Sequence, residues 1–253
     1  ASLRAAGIVV LATVTSPEEA LAADALGVDA LVVQGPESGG HRGTHSGATE
    51  PDTRPLDELL AAVRAAIALP LIAAGGLMSA ADVRRVLDLG ALAAQCGTAF
   101  LRSPEAGTSA THPCRTCRRP FTESLATRAF TGRVARGLRN SLRHSSMQSR
   151  RSAIPQCTNS PGRCGAAATR DGDAEWTHLW AGAGWRAGTD LSPADVVRLL
   201  TPQIAGAQVN DNHLPAPVRL YHDNAFTRRS RWTPRSSTGG MPPHTRGWSV
   251  SSR

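Results

Sequence analysis

Not one of the 28 basic residues in this 253-residue chain is a lysine. Aromatic residues are also scarce, at 4% of the total with a single tyrosine. A net charge of +8 would by itself suggest a nucleic-acid partner. Single-strand binders, however, stack bases on aromatic rings, and other binders gather their basic groups on one face. Here the arginines are scattered, and an all-arginine basic set beside abundant Ala and Gly fits a GC-rich coding bias. No specific nucleic-acid partner is therefore expected. The charge is divided along the chain, net −5 over residues 1–105 and net +13 over 106–253. Also missing is any run of about 18 apolar residues, which excludes a membrane-spanning helix. The first apolar stretch runs into Thr15, Ser16, Pro17, Glu18 and Glu19 without a small-residue cleavage site, unlike a signal peptide. The chain is expected to be cytoplasmic. Cysteines number five, Cys96, Cys114, Cys117, Cys157 and Cys164, and an odd count in such a chain argues for free thiols. Four of them could be read as a zinc set, but Cys157 and Cys164 stand further apart than structural zinc pairs usually do.

What is present is a regular alternation of short apolar runs and amphipathic stretches. Ile8 to Val14 predicts a strand. Ser16-Pro17-Glu18-Glu19 predicts a capped helix, with Ser as N-cap, Pro at the first helical position and Glu at the third, ending at Gly27. Ala30 to Val33 is a continuous aliphatic run, as expected of a parallel strand buried on both faces. Leu56, Leu59, Leu60, Val63 and Ile67 recur at helical spacing. Leu71 to Ala74 predicts a strand, Ser79 the cap of a helix carrying Val83, Val86 and Leu87, and Ala91 to Cys96 a last strand. The order β-α-β-α-β-α-β, with right-handed crossovers, predicts a parallel sheet with helices outside, four strands being half of an eight-fold barrel. Beyond Glu105 the periodicity fades, apart from Ser192-Pro193-Ala194-Asp195 capping a further helix.

Each of the last three predicted strands ends in glycine. Asp29 to Gly43 runs through Gln34-Gly35-Pro36-Glu37-Ser38-Gly39-Gly40-His41-Arg42-Gly43, followed by a long loop through His45 and Pro55, and long loops in compact domains are usually functional. The next strand ends in Gly75-Gly76 and the last in Gly97-Thr98. In barrels the loops after the final strands commonly receive a phosphate on bare backbone N–H groups. The glycines are either such a site or plain turns, and their recurrence at successive strand ends favours the site. His41 is either a solvated loop histidine or a catalytic group, and its strand-end position favours the second. Glu37 either balances charge in the loop or is solvated. Cys96 reads as a small buried hydrophobe.

The combination Gln34 to Gly43, Ala73-Ala74-Gly75-Gly76 and Gln95-Cys96-Gly97-Thr98-Ala99-Phe100 resembles the nitronate monooxygenase family, formerly called 2-nitropropane dioxygenases. The segments Phe130 to Asn140 and Leu179-Trp180-Ala181-Gly182 resemble it too. The resemblance implies a TIM-type barrel carrying flavin mononucleotide (FMN), with an added helical segment. It implies oxidation of alkyl nitronates or nitroalkanes by molecular oxygen to a carbonyl compound and nitrite. Carried over, Gln34 and Gly39 contact the flavin, while Gly75, Gly76, Gln95, Cys96, Gly97 and Thr98 hold its phosphate, largely through backbone N–H groups. His41 is the histidine on the substrate side, a base or a hydrogen-bonding partner for the nitro group.

Since the family has further β/α units before the point where this chain begins, the expectation is an N-terminally truncated member. Residues 1–105 then form the C-terminal half of the barrel, 106–207 the helical segment and 208–253 a disordered basic tail. The motif-free stretches 106–120, 144–170 and 208–253 are expected to arise from reading-frame slips. Two alternatives stand beside this reading. One is a flavin-dependent enoyl-acyl-carrier-protein reductase, which shares the glycine-histidine loop; the other is a non-catalytic remnant whose basic half binds polyanions.

Overall fold

The computed structural model describes residues 8–108, 112, 121–128, 132–141 and 170–203. All of them belong to the unit Ala1–His222; a second unit, Asp223–Arg253, lies outside the described residues. Four strands, β1 (Leu11–Val14), β2 (Ala30–Gln34), β4 (Leu71–Ala74) and β5 (Ala93–Gln95), form a parallel sheet in the order β1-β2-β4-β5. Between them run α1 (Pro17–Ala25), α2 (Leu56–Ala66) and α3 (Ala80–Asp88). Spatial order equals chain order, and α1, α2 and α3 all bury residues in one core with the sheet. The expected β/α alternation is present. β1 is shorter than its apolar run, because Ile8 and Val9 are exposed and only Leu11–Val14 pair with β2.

The core sits between sheet and helices. Leu31 and Val33 of β2, with Leu71 and Ala73 beside them in register, point to the helices and are at most 1% exposed. They pack with Leu59, Leu60 and Val63 of α2 and with Val83 and Val86 of α3. α2 starts at Pro55 with no side-chain cap. Packing therefore holds it, since each fully buried aliphatic side chain contributes about 1.5–3 kcal/mol. α1, α3 and α4 (Pro193–Leu200) do carry caps, Ser16, Ser79 and Ser192, each accepting from the N–H three residues on. The reciprocal half of the box in α1 differs from expectation. Glu19 accepts instead from the N–H and hydroxyl of Thr15 and from the N–H of His45, tying α1 to the long loop.

A second, antiparallel sheet has the order β3-β7-β6: β3 (Gly40–His41), β7 (Ala135–Leu138) and β6 (Ser124–Thr127). The described part of residues 106–207 contains β6 and β7 as well as α4. Arg136 ties β7 to its surroundings. Its Nε donates to Pro36 O at 2.7 Å and its Nη1 to Ser124 O at 2.9 Å, bonds that hold an extended strand against the loop after β2. Four of the five cysteines (Cys114, Cys117, Cys157 and Cys164), most of 106–120 and 144–170, and all of 208–253 lie outside the described residues. No group of metal-binding side chains occurs among the described residues, and no helix there is long and apolar enough to cross a membrane.

Candidate active site at the strand ends

The site begins where β2, β4 and β5 stop together. Gln34, Ala74 and Gln95 are aligned in register, Gln34 opposite Ala74 and Ala74 opposite Gln95. All three point away from the helix-packed face, because alternate residues of a strand face opposite ways. The loop after β2 folds back over this edge and is stapled there by Gln34. Its Nε2 donates to His41 O at 3.0 Å, and its Oε1 accepts from Gly43 N at 2.7 Å. Ser38 anchors the middle of the loop, its hydroxyl donating to Ala74 O at 3.3 Å.

Glycine is obligatory at the mouth of β4. Gly75 has φ +118° and a Cβ there would come within 2.5 Å of Ser38 Oγ; Gly76 has φ +71° and would meet Glu37 Cβ at 2.9 Å. Positive φ admits glycine readily and strains other residues. Gly39 abuts the chain at Ala181 and Gly182, where an added Cβ would lie 2.6 Å from Gly182 N. Gly97 is different: a Cβ there would project into open space. It leads into a single 3-10 turn, Thr98–Phe100, whose first N–H groups have no partner within the turn. Thr98 Oγ1 accepts from Gly182 N at 2.9 Å, and Ala183 N donates to Glu37 O at 2.9 Å.

His41, expected in a loop, lies in β3 opposite Ala135, with its side chain exposed and its ring 5.3 Å from that of Trp180. Trp180 adjoins Ala181 and Gly182, so the residues singled out by sequence are linked by shared neighbours. Gly75 and Gly76 touch the 37–38 turn, Gly39 touches 181–182, Thr98 binds Gly182, and His41 meets Trp180. Cys96 contributes no side chain. It is buried in the core, where burial first and the charge of Asp82 second push its thiol up to about 11.

Behind the loop lies a cleft of about 500 Å³ bordered by Pro36, Glu37, Arg42, Asp52, Thr127 and Arg136. It does not include His41, Gly76 or Gly97. Burial lowers Arg42 to about 10, with the Glu37 charge opposing the shift, and lowers Arg136 for the same reason. Both guanidiniums spend hydrogen bonds on loop carbonyls, Arg42 on Gly35 O and Arg136 on Pro36 O. These arginines therefore brace the loop from behind while its front faces the strand ends. Sequence reasoning gave no role to Ser38, Arg42, Trp180 or Gly182. The Leu-Trp-Ala-Gly string was the one available signal for the last two.

A glycine mouth with open space at Gly97, at the start of a helical turn, fits an anionic phosphate group. It would be received by backbone donors from Gly97 and Thr98, with Gly76 alongside.

Residues 1–203 match the family model described as nitronate monooxygenase. The chain is 35% identical over 214 residues to nitronate monooxygenase of Pseudomonas aeruginosa, covering 81% of this chain and 59% of that protein. It is 36% identical over 184 residues to a probable nitronate monooxygenase of Staphylococcus saprophyticus, covering 69% and 50% respectively. Among solved structures it is similar to nitroalkane oxidase from Streptomyces ansochromogenes, with a TM-score of 0.71 and 42% identity, covering 78% of this chain and 58% of that one. FabK from Thermotoga maritima, at 24% identity and a TM-score of 0.65, shares the fold. The chain spans about half to three-fifths of the length of the relatives it matches.

Proposed function

Because the chain belongs to the nitronate monooxygenase family, we propose that it binds FMN at the strand ends and oxidises alkyl nitronates with molecular oxygen to a carbonyl compound and nitrite. When bound, FMN supplies the electron transfer between nitronate and oxygen that no side chain can perform. The protein's own part is to bind, orient and handle protons. Backbone N–H groups of Gly76, Gly97 and Thr98 hold the phosphate, with Cys96 anchoring the strand end from the core and Gln95 at its edge. Gln34 and Gly39 border the ring, Gln34 by keeping the loop closed and Gly39 by letting the 181–182 backbone approach. His41 is the one titratable side chain put forward for the substrate side. An imidazole can donate to an anionic nitro group or accept the proton of a neutral nitroalkane.

The observation that carries this reading is the linkage of Gly76, Thr98 and His41 through the 37–39 and 180–182 segments. Its test is to purify the chain, add FMN, and follow both the flavin spectrum and oxygen uptake with a nitronate. Stoichiometric binding, with nitrite released as oxygen is consumed, is the expected result, and His41→Asn should cut turnover roughly 100-fold or more while leaving FMN bound. A chain that takes up no FMN, or one that oxidises NADH with an enoyl thioester and ignores nitronates, would sink the proposal.

A further inference from the structure

The string Leu179-Trp180-Ala181-Gly182 has so far served only as a wall, yet its geometry is unusually constrained. Leu179 and Ala181 are each 1% exposed and pack into a small second core with Phe121 and Leu138. Alternation along this extended segment sends the intervening Trp180 side chain the other way. Its backbone is clamped from several sides. Leu138 N donates to Leu179 O at 2.8 Å, Gly137 bridges Trp180 antiparallel, and His112 Nε2 donates to Trp180 O at 3.2 Å. One residue pair further on, Gly182 N and Ala183 N donate to Thr98 Oγ1 and Glu37 O.

β7 then sets the indole beside His41. Ala135 lies opposite His41, and Gly137 lies opposite Trp180. Positions 135 and 137 face the same side of β7, so their partners project to that side together. Alanine and glycine leave room there for two rings. The ring centroids are 5.3 Å apart and tilted by 51°, within the range that aromatic pairs favour. His178 approaches the same indole at 5.6 Å. His41 sits on a strand of two residues and is exposed.

We propose that Trp180 is a positioning residue, whose rigidly held indole selects the His41 rotamer that faces the strand ends. The proposal rests on the role given to His41 above, so the test includes a readout that needs neither flavin nor substrate. With histidine side chains isotopically labelled, the unliganded chain is compared with Trp180→Phe and Trp180→Leu by NMR. Cross-peaks between the His41 ring and the Trp180 indole are expected in the parent chain. The leucine variant should shift the His41 ring signals and average its rotamers, and phenylalanine should restore them. In turnover, Trp180→Leu should lower kcat by about 10- to 100-fold, the scale of a misplaced reacting group, with KM and FMN affinity little changed. Absence of the cross-peaks in the parent chain overturns the proposal whether or not any variant folds, and so do His41 signals unmoved in Trp180→Leu. An intact ring contact in a chain that oxidises no nitronate sinks the functional reading alone.

Discussion

Gly76 and Gly97 make opposite demands although both are glycines at strand mouths. Gly76 needs its lack of a side chain to fold: φ is +71° and Glu37 Cβ occupies the space a Cβ would take. Gly76→Ala should therefore lower stability by about 1–3 kcal/mol, the range for forced positive φ, measurable as a shift in the urea midpoint. Gly97 has φ −128° and open space. Gly97→Val should unfold at nearly the same urea concentration as the parent but bind FMN at least tenfold more weakly, read by quenching of flavin fluorescence. Equal FMN affinity in the two chains would show that the space at Gly97 receives no phosphate. Gly97 and Gly76 look alike in sequence, and nothing local separates them. The difference lies in what the 37–38 turn, reached from another strand, places against each.

Among the elements, local signals predicted best where local hydrogen bonds do the work. The three serine caps form as their spacing implies, and so does the buried stripe of α2. Ser79→Ala or Ser192→Ala should each cost about 1 kcal/mol. Leu59→Ala, in a helix without a side-chain cap, should cost about 2–5 kcal/mol. Chemical denaturation would rank these variants, and equal costs would mean that α2 relies less on packing than its burial indicates. β3 and β7 escaped sequence reading because they are short and pair with each other across a long stretch of chain. β3 has two residues, too few for any period, and the Arg136 side chain that braces the loop comes from the distant β7. Glu19 shows the same limit in a helix: its capping position is legible, its partner His45 is not.

At the scale of the whole molecule, acidity should act through His112. The residue is 6% exposed, and burial holds its imidazole below the usual value of 6.5, partly offset by the bond to Trp180 O. Nδ1 has no hydrogen-bond partner, so the neutral ring with its proton on Nε2 suits the fold and the cation does not. The unfolded chain then binds more protons than the folded one as pH drops below about 6.5, and stability falls from there until the lowered folded value is passed. Denaturation midpoints measured between neutral pH and about 5 should decline, and His112→Gln should flatten the decline. A profile identical in both chains would assign the acid sensitivity elsewhere. Loss of His112 protonation control would also reach the site, because its ring supports the Trp180 carbonyl.

Sequence alone determined the β/α alternation, the serine caps, the glycine-rich mouths and the family, because each rests on residues within a few positions of one another or on a string of motifs in order. Tertiary structure decided which glycine is strained and which opens a space, that His41 stands in a strand, and that Trp180 meets it. Those facts depend on backbone hydrogen bonds and side-chain contacts between segments far apart in the chain, and such partners leave no periodic mark in either segment.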